Sequence, residues 1–198
     1  MIGECKVLDI DVSDVEFNAI YPERIRQIAY NQWTPVDVAK LAAKFLAEKH
    51  GARVLDIGSG VGKFCMIGAS CTEGIFTGVE QRDYLVEMSK KISAKHGLTN
   101  AEYIQANIMD VPFAEYDSFY FFNAFYENID SAAVIDNTIE RGFNFYNLYT
   151  RYVSGQLAKK PIGTRLSTYW SPLNEVPDSY ELKFSAFNEK LNCWEKVR

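Results

Sequence analysis

The run Arg53-Val54-Leu55-Asp56-Ile57-Gly58-Ser59-Gly60-Val61-Gly62-Lys63 constrains this chain more than any other segment. Arg53–Ile57 reads as a short buried strand, three glycines follow, and an apolar run from Phe64 to Ala69 predicts a helix after them. A strand, a glycine loop and a helix in that order leave backbone N–H groups and a helix N-terminus facing whatever binds. The same alternation continues downstream. Residues 75–80 read as a second strand, and residues 82–96 as a helix with Leu85, Met88 and Ile92 inward and Gly97 as its stop. Residues 101–106 and 117–122 supply a third and a fourth strand, and 163–169 a fifth. Residues 180–187 and 191–197 look like a closing antiparallel pair. Apolar strands separated by helices predict a Rossmann-like, doubly wound α/β fold: a mostly parallel seven-strand sheet with an antiparallel C-terminal hairpin.

The 198 residues bound a single domain over 1–198, with 1–34 as an N-terminal arm and possible lid and 35–198 as the main fold. The arm shows weak period-two alternation (Val7, Asp9, Asp11), then a short helix from Tyr21 with Ile25, Ile28 and Ala29 on one face. The segment Tyr30-Asn31-Gln32-Trp33-Thr34-Pro35 reads either as a lid over the glycine loop or as a connection stapled by Trp33. Thr34 is expected as an N-cap and Pro35 as the first residue of a helix that buries Val38, Leu41, Ala42 and Phe45 and ends at Gly51. A helical stretch from Ser131 to about Lys159, broken near Gly142, completes the prediction.

Net charge is −5, which disfavours a chain whose affinity comes from neutralising phosphates. Cys5, Cys65, Cys71 and Cys193 form no C-x-x-C pair and have no histidine at ligand spacing, so neither a metal site nor a disulfide framework is expected. His50 and His96 sit near helix ends, where a surface role is expected. Acidic residues near the start (Glu4, Asp9, Asp11, Asp14) do not suit a signal peptide, and no apolar run reaches membrane-spanning length. The cytoplasm is the expected location. The departure from average composition is aromatic, at 14%, with clusters at 119–126 and 143–152. The first cluster closes the fourth strand; the second, with Phe143, Tyr146, Tyr149, Tyr152 and Val153 at helical spacing, predicts core or a homodimer contact.

Three details narrow what the glycine loop binds. A dinucleotide fingerprint starting at Gly58 needs glycine where Lys63 stands, and a P-loop needs Ser or Thr where Phe64 stands. Asp56, two residues before Gly58, is placed to hold a positively charged group over the loop. Glu80 closes the second strand, and a carboxylate there accepts two hydroxyl hydrogen bonds, which suits a ribose diol.

On Val54 to Lys63 and Gly78-Val79-Glu80, the sequence resembles the class I S-adenosylmethionine-dependent methyltransferases. The order of elements is similar over residues 35–198, and the motifs are specific across 53–82. The resemblance implies S-adenosylmethionine as cofactor. It places Asp56, Gly58, Ser59, Gly60 and Gly62 on the methionine and ribose side, Glu80 on the ribose hydroxyls, Gln81 beside the adenine and Asn107 at the adenine amino group, where many relatives carry Asp. After the fourth strand, Asn123, Tyr126 and Glu127 are the candidates to touch the methyl acceptor. Amino-methylating branches carry prolines where Ala124 and Phe125 stand, so an amine acceptor competes with a generic wall of aromatics. Gly58–Gly62, Gly78–Glu80 and Asn123-Ala124-Phe125 are also similar to the histone-lysine methyltransferases of this fold, without a long basic extension. The acidic net charge favours a protein or small molecule over nucleic acid as the acceptor and leaves all three open. The rival readings are an NAD-type oxidoreductase and a cofactor-binding fold that has lost catalysis and serves as an interaction subunit.

Overall fold

A computed structural model of the chain describes residues 8–27, 32–130 and 134–198. Cys5 and Val7, the helix face through Ile28 and Ala29, Tyr30-Asn31, and the proposed helix start at Ser131 lie outside the described residues. Seven strands make one sheet: β1 (Arg53–Ile57), β2 (Ile75–Glu80), β3 (Ala101–Gln105), β4 (Ser118–Phe122), β5 (Arg165–Tyr169), β6 (Tyr180–Ala186) and β7 (Leu191–Lys196). Their spatial order is β3-β2-β1-β4-β5-β7-β6, and β7 runs antiparallel to both of its neighbours. The order reverses beside β1, between β2 and β4, and in an open α/β sheet ligands bind outside the strand C-termini at such a point.

The central strands are apolar on both faces because both faces are covered. Leu55, Ile57, Phe119, Phe121 and Leu166 face a cluster closed by Val153 and Leu157 of α6 (Phe143–Ala158) and by short 3-10 turns at Ile108–Asp110 and Phe113–Glu115. Val54, Phe76, Tyr120 and Tyr169 face the other cluster, which includes buried residues of α3 (Val36–Leu46), α4 (Lys63–Cys71) and α5 (Asp83–Lys95). The arm docks on this second face through α1 (Asp14–Asn18), α2 (Glu23–Arg26) and the buried Phe17, Tyr21 and Ile25.

Three local expectations are corrected. Thr34 does not cap α3: its hydroxyl lies 2.9 Å from the Tyr120 hydroxyl, and the Val36 N–H donates instead to the Asp14 carboxylate at 3.0 Å. The helix closes at Leu46, with Ala47 at its C-cap, and Gly51 turns the later loop at φ +69°. The predicted helix before Gly142 is absent from the described residues 134–142; Asp136 engages Thr138, Tyr84 and Arg82 there, and α6 starts at Phe143. No α-helix stands between β5 and β6.

Candidate active site

The glycine loop is shaped by backbone geometry that side chains resist. Gly58, Gly60 and Gly62 all have positive φ (+74°, +53° and +73°). A Cβ on Gly62 would stand 2.4 Å from the Tyr103 ring, so this glycine lets α4 pack on β3. Gly60 has open space where a Cβ would stand, which leaves its backbone face exposed to a ligand. Gly58 and Ser59 N–H groups both donate to the Val79 carbonyl (3.0 and 2.9 Å), tying the loop to the end of β2.

Beside the loop lies a cavity of about 500 Å³ at the carboxyl ends of β1, β2, β4 and β5. Gly58 and Gly60 line its floor together with Glu80 and Arg82, and Asn123, Tyr126 and Glu127, from the segment after β4, line the wall that adjoins it. Trp33, Phe122, Tyr169 and Trp170 add aromatic surface. Asn123 and Trp170 both hold left-handed backbone, at φ +46° and +48°, and non-glycine residues in that region concentrate at functional sites.

Glu80 is 7% exposed. Its Oε1 accepts the Arg82 N–H at 2.9 Å and its Oε2 the Gly60 N–H at 3.2 Å. Burial raises its pKa, opposed by those two amides and the Arg82 charge. The Arg82 side chain is 2% exposed and also pairs with both oxygens of Glu127 (2.7 and 3.1 Å) and with Asp136 (3.1 Å). Burial opposes its charge, yet Glu127, Glu80 and Asp136 together hold the pKa above the ordinary arginine value. Thus Glu127 lines the cavity with both of its oxygens engaged by Arg82.

Asp56, Ser59, Gly62, Gln81 and Asn107 are not among the residues that line this cavity. Asp56 is buried behind the loop, where the Cys65 thiol donates to it at 3.4 Å, and burial pushes its carboxyl up to about 7. Ser59 Oγ is buried without a hydrogen-bond partner among the described residues. Asn107 caps a 3-10 turn by accepting from the Met109 N–H at 3.0 Å, donates to Tyr149 Oη at 2.9 Å, and lies 3.5 Å from Gln81 Oε1. Sequence reasoning missed Arg82 and Asp136. Their partners lie up to 54 residues apart, and nothing local marks them.

On the arm side, the Tyr21 hydroxyl donates to the Val61 carbonyl of the loop at 3.3 Å, and its ring packs on Trp33 at 4.6 Å. Gln32, Trp33 and Pro35 thereby form one side of the cavity. Among the described residues no helix is long and apolar enough to cross a membrane, and no group of His, Cys, Asp and Glu is arranged to hold a metal ion.

Residues 48–195 match the family described as methyltransferase domain. Among solved structures, the chain is similar to TrmN from Thermus thermophilus (18% identity, 88% of this chain and 52% of that one, TM-score 0.58). It is also similar to a methyltransferase from Geobacter sulfurreducens (10%, 92% and 96%, 0.61). A third is an RNA methyltransferase from Salinibacter ruber in complex with S-adenosyl-L-homocysteine (16%, 83% and 92%, 0.54). At these identities the likeness is one of fold. The chain spans about half the length of several of the solved structures it matches. No curated protein sequence matches it.

Proposed function

Because the chain belongs to the methyltransferase domain family, which its residues 48–195 match, we propose that it binds S-adenosylmethionine and transfers the methyl group to an acceptor held against Asn123 and Tyr126. The observation that carries this reading is the buried Glu80 carboxylate on the cavity floor beside the open backbone of Gly60. A carboxylate has about four acceptor directions, and the two backbone amides leave room for hydroxyl donors. Gly58, Gly60 and Glu80 would hold the cofactor, with Asp56, Ser59, Gly62, Gln81 and Asn107 supporting them from behind or beside the loop. When bound, S-adenosylmethionine supplies a methyl already activated on a sulfonium.

The protein's own share is alignment and desolvation. An acceptor held against Asn123 and Tyr126 would take that methyl from the sulfonium, leaving the thioether behind. Phe122, Tyr126 and Tyr169 would line the acceptor's side of the cavity with aromatic surface, and aromatic faces favour a developing cation. Among the described charged residues lining the cavity, Glu80, Glu127 and Asp130 are anionic and Arg82 cationic. A phosphate-rich group is therefore a poor occupant, and an amine of a protein or small molecule is the acceptor we favour.

Single-domain organisation over 1–198, a cytoplasmic location and a homodimer accompany the proposal. Cys65 and Cys193 use their thiols in hydrogen bonds to Asp56 and Ser167, which suits a reducing compartment. Phe143 and Leu148 leave apolar surface on α6 for a second copy. The test of the central reading is calorimetric titration with S-adenosylmethionine and with NAD. Saturable binding of the first is expected; binding of NAD alone would overturn it.

A further inference from the structure

Arg82 joins three segments that are far apart in sequence: the end of β2 through Glu80, the Tyr126–Asn128 turn after β4 through Glu127, and the 134–142 segment through Asp136. Its contacts are unequal. The guanidinium lies 2.7 and 3.1 Å from the two oxygens of Glu127 and 3.1 Å from Asp136, but 3.5 Å from Glu80 Oε1. That Oε1 already accepts the shorter bond from the Arg82 backbone N–H. Glu80 Oε2 accepts only the Gly60 N–H among the hydrogen bonds of the described residues, which leaves one acceptor direction on it. A vicinal diol donates twice. One hydroxyl takes the open direction, and the other competes with the long Arg82 contact on Oε1.

From this we infer that Arg82 is a positioning residue that couples occupancy of the Glu80 subsite to the acceptor wall. A diol on Glu80 draws that carboxylate away from the guanidinium and commits Arg82 to Glu127 and Asp136, which firms the Tyr126–Asn128 turn. The planar fork of arginine is what reaches all three carboxylates, and an ammonium lacks that geometry. Coupling of this kind is reciprocal, so a firm wall also strengthens binding at Glu80. The inference rests on the cofactor reading above and assigns no chemical step to Arg82.

The experiment uses S-adenosylhomocysteine as probe, with calorimetry for binding and amide hydrogen exchange for the wall. In the wild type, saturating probe is expected to slow exchange at residues 126–130 by about tenfold. In Arg82→Gln and Arg82→Lys, at probe concentrations that still saturate, protection of residues 58–62 is expected to remain while the slowing at 126–130 disappears. A merely structural role would raise exchange with and without probe and leave the probe-induced change intact. Glu127→Ala cuts the same bridge from its other end and carries the test should the Arg82 variants fail to fold. Equal slowing in wild type and variants, or none in the wild type despite binding, overturns the coupling alone. No binding by the wild type overturns the cofactor reading and the coupling with it.

Discussion

Gly58 and Ala124 come so close that a Cβ on Gly58 would lie 2.5 Å from the Ala124 Cβ. The loop after β1 and the loop after β4 thus meet directly, and the contact between these two cavity-lining residues leaves no room for a side chain at position 58. Gly58→Ala adds both a clash with Ala124 and a strained left-handed residue at φ +74°. We expect a loss of about 2–4 kcal/mol in urea denaturation. Moving Ala124 should also disturb the wall, so S-adenosylmethionine affinity should fall even where the variant remains folded. A variant with wild-type stability and affinity would show that the two loops have slack.

The buried Lys63 and its partly exposed partner Asp14 make a ranked prediction. Lys63 opens α4 with its side chain only 4% exposed, and Asp14 of the arm is 45% exposed. Asp14 Oδ1 also accepts the Val36 N–H, so one carboxylate ties α1, α3 and α4 together. Burial lowers the Lys63 pKa, and Asp14 acts against that shift. Lys63→Met removes the buried charge with its hydrogen bond, and should cost about 1.5–3 kcal/mol. Asp14→Ala strands the ammonium in the interior and should cost more. The order of their denaturation midpoints checks this; the reverse order would mean that Lys63 reaches water once the arm lets go.

How much of this was legible follows from the range of each interaction. β1 and β2 are readable to the residue because their apolar runs are bounded by turn signals on both sides, and a strand covered on both faces tolerates little else. Glu80 was legible for the same reason: it ends a strand whose limits are clear. Thr34 was misassigned because a hydroxyl suited to capping was claimed by Tyr120, 86 residues away. The Asp14 carboxylate that does receive the Val36 N–H is 22 residues upstream. Asp56 was read as facing the ligand, whereas strand alternation turns it toward Cys65, with Leu55 and Ile57 on the opposite face. Arg82 carried no local signal, since its partners Glu127 and Asp136 lie 45 and 54 residues away in sequence.

Asp56 makes a pH prediction. Its carboxyl titrates at about 7 in the folded chain against an ordinary 3.8, because burial disfavours the anion. Between those values the folded state holds a proton that the unfolded state has released, so the stability contributed at this site is full below about pH 4 and falls until about pH 7. Glu80, raised chiefly by burial as well, acts in the same direction. Asp56→Asn has no charge to bury and should melt higher than wild type at pH 8, by at most about 4 kcal/mol in stability. The gain should shrink markedly at pH 5. A difference independent of pH would show that Asp56 is already solvated or paired.

Asn123 offers a test of the proposed division of the cavity between cofactor and acceptor. It holds φ +46° at the end of β4, its carbonyl accepts the Tyr126 N–H at 3.0 Å, and it lines the cavity. Asn123→Gly keeps that backbone without strain and should leave the melting temperature level or higher. Asn123→Val forces a β-branched residue into the left-handed region and should cost about 1–2 kcal/mol. If the side chain serves the acceptor and not the cofactor, the glycine variant should bind S-adenosylmethionine as the wild type does. Calorimetry on this folded variant decides it: a loss of cofactor affinity would move Asn123 to the floor of the site, and leave Tyr126 as the nearer candidate for the acceptor.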